Sequence, residues 1–315
     1  MLKYIIKRIL WIIPVILGVS FFIFFIMDFT PGDPAIMILG EGAKPEEYEA
    51  LRNEMGLNDN FFVRYIRYVS NALKGDFGRS YRTNIPVFEE ITSRLPYTLN
   101  LAVTSTIIAI IIGLPLGVLS AVKQYTAIDN ISLGISLILT SMPAFWFALM
   151  CILLFSLKLE WLPSLGADSW KHFILPAAAA CTNTLASTLR MTRSTMLEEI
   201  RQDYIRTARA KGAKEKTVIF GHALRNALLP VVTVIGVNFG LALGGTIVIE
   251  QVFALPGLGQ LMINAVRSKD VPMVIASILF SAIIASLVNL LVDIVYVYID
   301  PRLKSEYSTV KAKKV

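Results

Sequence analysis

The chain is poor in the residues that soluble enzymes use. Charged residues make up 17% of its 315 residues, whereas a soluble domain carries about 25%. Its two cysteines, Cys151 and Cys181, both lie in apolar runs, so a disulfide framework is not expected. Its two histidines, His172 and His222, give no spacing typical of zinc ligands. We therefore expect no metal site and no cofactor.

Motifs for nucleotide hydrolysis and for common hydrolases are missing as well. A phosphate-binding loop needs glycines ahead of a Lys-Ser or Lys-Thr pair, and Lys216-Thr217 lacks them. The sequence contains neither an HExxH pair nor a GxSxG nucleophile elbow. We predict a chain without catalytic residues that does not hydrolyse ATP itself.

What the chain does have is long apolar runs, and hydrophobic residues make up 55% of it. About 20 apolar residues are needed for a helix to cross the hydrocarbon core of a bilayer. Backbone polar groups cannot stay unpaired in lipid, so such runs form helices. Six charge-free runs predict an all-α membrane protein with six transmembrane helices, the fourth being the shortest: Ile9–Met27, Tyr97–Val122, Ile131–Leu157, Phe173–Leu189, Ala227–Ile249 and Val271–Val292.

The positions of lysine and arginine orient these predicted spans. The segments on one side carry 18 of them, and the two short loops on the other side carry four. The positive-inside rule then places both termini in the cytoplasm. Because this asymmetry accounts for the formal net charge of +7, nucleic-acid binding is not expected. The predicted divisions are a first segment 1–29, an external subdomain 30–95, a five-helix core 96–299 and a cytoplasmic tail 300–315.

The external subdomain has the pattern of two short helices. Pro45 opens the first, with acidic residues in its first turn, and Gly56 suits its end. The second is predicted from Asp59 to Lys74, where apolar residues share one helical face: Phe62, Ile66, Val69 and Leu73.

The cytoplasmic segment 190–226 is more basic and more patterned than a topogenic loop requires. Tyr204 to Lys211 and Glu215 to Leu224 are predicted as short helices, with Gly212 turning the chain between them. The simplest interpretation is a positive-inside loop lying over lipid headgroups. The alternative is a compact helix–turn–helix that passes the motion of a cytoplasmic partner to spans four and five.

This segment resembles the coupling loop of permease subunits in bacterial ABC importers. Gly212 and Ala208 fit the general Glu-Ala-Ala-x3-Gly pattern, whereas Arg206, Thr207, His222 and Arg225 depart from it. The departures are similar to those of one branch, the dipeptide/oligopeptide permeases. Further stretches in the same order support that branch: Ile6–Pro14 with Gly18, Pro31–Pro34, Gly75–Ser80, Arg190–Ser194, Asp203–Gly212, His222–Thr233, Phe253–Gly259 and Asp300–Arg302.

The resemblance implies a multi-pass protein of the bacterial cytoplasmic (inner) membrane. It implies a second, homologous permease subunit with which a heterodimer is expected, two cytoplasmic ATPase subunits, an external binding protein and a peptide substrate that moves inward. The residues that it assigns to contact with an ATPase are Tyr204, Thr207, Ala208, Ala210, Gly212, Ala213, His222 and Leu224. Two rival functions remain: the same machine with nickel, glutathione or oligosaccharide as cargo, and a secondary transporter or channel. The absence of an inverted repeat argues against the latter.

Small residues also repeat along two spans. Gly113 and Gly117 form one GxxxG pattern, and Gly236, Gly240 and Gly244 form two more. Close helix packing is the first interpretation of such spacing, and a sliding pore wall or dimer seam is compatible with it. Asn238, Gly240 and Gly244 are the candidates for the translocation path.

Overall fold

The computed structural model describes residues 2–29, 32–40 and 42–299. Within these ranges the chain is helical, and its only extended pairing is an isolated bridge between Arg79 and Pro86. The α-helices are α1 (Leu2–Asp28), α2 (Pro34–Leu39), α3 (Pro45–Met55), α4 (Phe61–Ala72), α5 (Val87–Val122), α6 (Ala127–Ser141), α7 (Ala144–Cys151), α8 (Ile174–Ala180), α9 (Thr182–Ile200), α10 (Asp203–Ala210), α11 (Leu224–Val252), α12 (Leu258–Arg267) and α13 (Val271–Ile299).

The predicted all-α membrane architecture is confirmed. Four helical segments in the described ranges are long and apolar enough to cross a membrane, or five if one bent pair counts as a span: Arg8–Asp28, Val87–Val122, Thr217–Ala242, Val271–Val292 and the pair Ala127–Ser141 with Ala144–Lys158. The fourth predicted span, Phe173–Leu189, is divided between α8 and α9 and is not among them. The count of six therefore stays a prediction.

The third apolar run is not one straight helix. The axis of Ala127–Ser141 and that of Ala144–Lys158 differ by 102°. The break falls at Met142, whose ψ of 129° is extended, directly before Pro143. A proline ring disfavours helical geometry in the residue before it, so this dipeptide ends α6 and starts α7. After α7 the backbone continues as a π-helix over Ile152–Lys158.

The chain divides into two compact units. One comprises Ile9–Thr98 and Pro256–Ile284, and its core is formed by Val87, Ile91, Leu258 and Met273 with their neighbours. The two predicted short helices are present there as α3 and α4. Gly56 ends α3 at φ 66°, a conformation that glycine adopts without steric cost. Sequence reasoning missed α2, in which the Asp33 carboxylate accepts a hydrogen bond from the Ala35 amide at 3.0 Å.

The other unit comprises Met1–Arg8, Leu99–Leu255 and Ala285–Val315. Helix α9 packs along α11 and α6 in this unit. The tail from residue 300, and with it the Asp300–Arg302 motif, lies outside the described residues. The domain boundaries predicted at residues 29 and 95 stay predictions.

Candidate functional site

The predicted coupling segment is a helix–turn–helix. Helix α10 covers Asp203–Ala210, as predicted, and Gly212 then turns the chain at φ 80°. The second helix differs from the prediction. It is a π-helix over Thr217–Ala223 that runs directly into α11 rather than ending at Leu224. The segment is therefore joined to two long helices, α9 on one side and α11 on the other.

One face of the segment is anchored in an apolar cluster. Ile205 is fully buried against Met196 of α9, Val118 of α5, and Val218 of the π-helix. Ala208, Ala213 and Leu224 are partly buried against the same cluster. Three of the predicted contact residues thus belong to the packed side of the segment. Ile205, the central residue of this packing, was missed, although its position among exposed polar residues of an amphipathic helix could have indicated it.

The opposite face of the segment is open. Tyr204, Thr207, Ala210, Gly212 and His222 are all exposed. The Tyr204 hydroxyl donates a hydrogen bond to Glu199 and accepts one from the Asn226 amide at 2.8 Å. Partial burial, together with the Glu199 carboxylate, raises the pKa of Tyr204. The phenol therefore stays protonated near neutral pH and links the end of α9 to the start of α11.

The turn at Gly212 is closed by local contacts. The Gly212 amide donates to the Arg209 carbonyl at 2.9 Å, and the Ala213 amide donates to the Ala208 carbonyl at 3.2 Å. Across the turn the Arg209 guanidinium contacts the Glu215 carboxylate at 2.6 Å and lowers the pKa of that carboxyl. This pair is exposed to solvent, so screening leaves it little stabilising effect.

Helix α9 is tied to the α5–α6 turn by a buried ion pair. The guanidinium of Arg193 donates to both carboxylate oxygens of Asp129, at 2.6 and 2.8 Å. The same carboxylate accepts from the Ser120 hydroxyl and from the Tyr125 amide. Asp129 is only 1% exposed. Such a fork-on-carboxylate geometry fixes orientation as well as distance, so α9 enters the coupling segment from a defined position.

The glycines of α5 confirm the packing interpretation of GxxxG. A Cβ atom at Gly117 would lie 2.6 Å from the Thr192 Cβ and 2.8 Å from the Leu189 carbonyl oxygen. At Gly113 it would lie 3.0 Å from the Leu185 carbonyl oxygen. These glycines let the backbones of α5 and α9 approach more closely than any side chain would permit.

The small residues along α11 have different surroundings. A Cβ at Gly236 would overlap Val292 of α13, and one at Gly240 would meet the Asn289 amide oxygen at 3.7 Å. Gly244 has no atom within 4 Å of its Cβ position and is exposed, as are Val237, Leu241 and Val248 at helical spacing around it. Asn238 is half-buried beside this stripe. One side of α11 is therefore left uncovered by the described part of the chain.

The described residues contain no group of three or more His, Cys, Asp or Glu side chains placed to hold a metal ion. Nothing in the segment resembles a nucleophile with its base. The segment is a short helix that packs on one face, is exposed on the other, and is joined to two long helices.

Comparison with known families and proteins gives a consistent picture. Residues 113–305 match the model of the binding-protein-dependent transport system inner membrane component, and residues 1–102 match that of its N-terminal region. The glutathione transport system permease protein GsiC of Escherichia coli K12 is 42% identical over 304 residues, covering 96% of this chain and 99% of that protein. The dipeptide transport system permease protein DppB of Alkalihalophilus pseudofirmus is 42% identical, covering 96% and 100%.

Solved structures agree on the fold. A chain of the MetNI methionine ABC transporter in an inward-facing conformation superposes with a TM-score of 0.57 at 21% identity, covering 67% of this chain and 96% of that one. An amino acid ABC transporter superposes with a TM-score of 0.53 at 16% identity. The family matches span nearly the whole sequence, and the chain belongs to the inner-membrane permease subunits of binding-protein-dependent ABC importers.

Proposed function

We propose that this permease carries short peptides inward across the cytoplasmic membrane. The observation that carries the proposal is its 42% identity, over almost its full length, to both a dipeptide permease and a glutathione permease. Glutathione is itself a small peptide, so the two relatives share a cargo class. Their equal identity to this chain does not favour one peptide over the other.

In this proposal the segment 204–224 is the contact with an ATPase subunit. Its open face presents Tyr204, Thr207, Ala210 and His222 to the solvent, whereas Ile205 and Ala208 hold its inner face. A helix that is exposed on one side and packed on the other can move as a rigid body when a partner displaces its exposed side. Because two residues join α9 to α10, and the turn after α10 leads through the π-helix into α11, a displacement of α10 reaches both of these long helices.

The proposed assembly has a second permease subunit, two cytoplasmic ATPases and an external binding protein. An uncovered stripe on α11 supports a role for Gly244, with Asn238 half-buried beside it, at a path shared with the second permease subunit. Gly240, whose Cβ position faces Asn289 of α13, is proposed for the path from the sequence alone. The proposed topology keeps six spans, with both termini in the cytoplasm.

A reconstitution experiment tests the cargo. The chain would be purified with its membrane and ATPase partners, placed in liposomes, and given its binding protein with a radiolabelled dipeptide, glutathione or nickel ion. We expect ATP-dependent uptake of a peptide and no uptake of nickel. Uptake of nickel alone would contradict the peptide assignment while leaving the permease assignment standing.

The coupling contact is tested by cross-linking. A cysteine placed at Ala210, on the open face, should cross-link to an ATPase subunit in the assembled complex. A cysteine at Ser70 of α4, which is exposed on a different unit, serves as the matched control and should not. Equal cross-linking at both positions, or at neither, would contradict the proposal that this segment contacts an ATPase subunit.

A further inference from the structure

Helix α4 has two unlike faces. Phe62 and Ile66 of α4, and Leu73 directly after its end, are 61%, 66% and 84% exposed and lie at helical spacing on one apolar face. The opposite face carries the polar residues Arg64, Arg67, Tyr68 and Asn71, which line a cleft of about 570 Å³ together with residues of α1, α3 and α13. The apolar face therefore points away from the cleft, and no other part of the described chain covers it.

The flank of α4 packs against α1, well before the end of that span. The Phe61 ring lies 5.8 Å from Phe21, 5.5 Å from Phe24 and 5.9 Å from Phe25, centroid to centroid. The Tyr65 hydroxyl lies 3.1 Å from the Leu17 carbonyl oxygen and 2.9 Å from the Ser20 hydroxyl. These contacts lie in the last half of α1, from Leu17 to Phe25, and not only at its terminus.

The depth of these contacts follows from helix geometry. The apolar segment Arg8–Asp28 has 21 residues, and at a rise of about 1.5 Å per residue it is about as long as the roughly 30 Å hydrocarbon core. Phe24 then lies about 6 Å, and Leu17 about 16 Å, below the level of Asp28. Helix α4 must accordingly start beside the membrane-embedded part of α1 rather than above it.

The Arg64 side chain of α4 extends toward the end of the span, at Asp28. The Arg64 guanidinium forms an ion pair with the Asp28 carboxylate at the end of the span. A long arginine side chain can place its charge at the membrane surface while its own Cα lies deeper.

We infer that α4 is an interfacial membrane helix, with Phe62, Ile66 and Leu73 inserted among the acyl chains of the leaflet at the Asp28 end of α1. The surface is continuous with that of α1, whose Phe22 and Ile26 are 66% and 59% exposed on a helix that must face lipid. In the predicted topology this is the outer leaflet. The inference depends on the membrane-spanning character of α1 and not on the identity of the cargo.

The consequence is a restraint on the polar cleft. An amphipathic helix lies in the plane of the interface with its apolar face about 5–10 Å into the headgroup boundary. With one face held in lipid, the opposite face of α4 holds Arg64, Tyr68 and Asn71 at a fixed level relative to the membrane surface. The polar cleft is therefore positioned by the membrane as well as by the protein.

Site-directed spin labelling tests this inference. Cys151 and Cys181 are replaced by alanine, and a nitroxide is attached to Ile66→Cys or, in a second variant, Leu73→Cys. The full-length chain is measured in lipid nanodiscs, with Arg67→Cys on the opposite face as the matched control. We expect collisions with oxygen to exceed collisions with a water-soluble nickel chelate several-fold at positions 66 and 73, and the reverse at position 67.

Two results would overturn the inference. Free access of the nickel chelate to position 66 means that the face lies in water, and protection from both reagents with strong immobilisation means that a protein covers it. A bimane at Ile66→Cys supplies an independent measurement. It should be quenched by phospholipid carrying a nitroxide on its acyl chain, whereas a bimane at Arg67→Cys should not.

Discussion

The coupling segment has a root and a tip, and the two are held in different ways. The root is where α9 meets α5 and α6, through Gly113, Gly117 and the buried Asp129–Arg193 pair. The tip is the turn at residues 207–216, where Gly212 is surrounded by open space and the Arg209–Glu215 pair faces solvent. Contacts at the root are close and buried, and those at the tip are local and exposed. If the segment couples to an ATPase as proposed, the buried contacts of the root would hold it in place while the exposed tip meets the partner.

The largest expected effect comes from breaking the ion pair at the root. Arg193→Ala leaves the Asp129 carboxylate buried without its counter-charge, which destabilises proteins by about 3–5 kcal/mol. Arg190→Ala, one turn earlier on α9, removes hydrogen bonds to the Thr140 hydroxyl at 2.8 Å and to the Ser136 carbonyl at 3.4 Å but no ion pair, and is the matched control. Thermal unfolding of the purified complex in detergent should show a large fall in Tm for the first variant and a small fall for the second. Similar Tm values would show that the pair does not hold the root.

The second effect concerns close approach of helices at the root. Gly117→Ala places a methyl group 2.6 Å from the Thr192 Cβ, and such overpacking costs about 1–3 kcal/mol. Gly244→Ala, in the second GxxxG region, meets nothing within 4 Å. Because alanine favours helix more than glycine does, Gly244→Ala should leave Tm unchanged or slightly raised. Thermal unfolding of both variants tests whether the two GxxxG regions, which have the same spacing, differ in how closely their helices pack. A fall in Tm for Gly244→Ala alone would show that the close packing is at Gly244 and not at Gly117.

Several elements of the fold could be predicted from the sequence. The apolar runs predicted membrane helices, Pro45 and Gly56 marked the ends of α3, and Gly212 marked the turn, because each of these signals is local. The Asp129–Arg193 pair was missed because 64 residues separate its partners, and no local pattern marks a pairing of that kind. Likewise, a GxxxG pattern predicts that two helices can approach closely, but tertiary packing decides whether a second helix lies against these glycines. The bend at Pro143 was missed because an unbroken apolar run conceals a change of direction.

A third effect, smaller in stability, should appear in transport. Gly212 has a φ of 80°, which a residue with a Cβ adopts at a cost of about 1–2 kcal/mol. Gly212→Val should therefore distort the tip while leaving membrane insertion intact. ATP-driven peptide uptake should fall, and ATP hydrolysis should no longer respond to the loaded binding protein. Gly212→Asn is the control, since asparagine tolerates this conformation. Uptake by the valine variant at the wild-type rate would disprove the need for this turn.

The smallest effect is expected at the exposed pair of the tip. Arg209 lowers the pKa of Glu215, so any stabilisation by the pair is present above the ordinary pKa of a glutamate and is lost as the pH falls through the lowered pKa. Because both side chains are in solvent, Glu215→Gln should leave the Tm at neutral pH within error of the wild type, and acidification should not separate the two proteins. Unfolding curves at neutral and acidic pH check this. A marked loss of Tm in Glu215→Gln at neutral pH, closing on acidification, would show that a charge pair holds the tip as firmly as the root. The turn at the tip, and not only the root, would then be a rigid part of the segment.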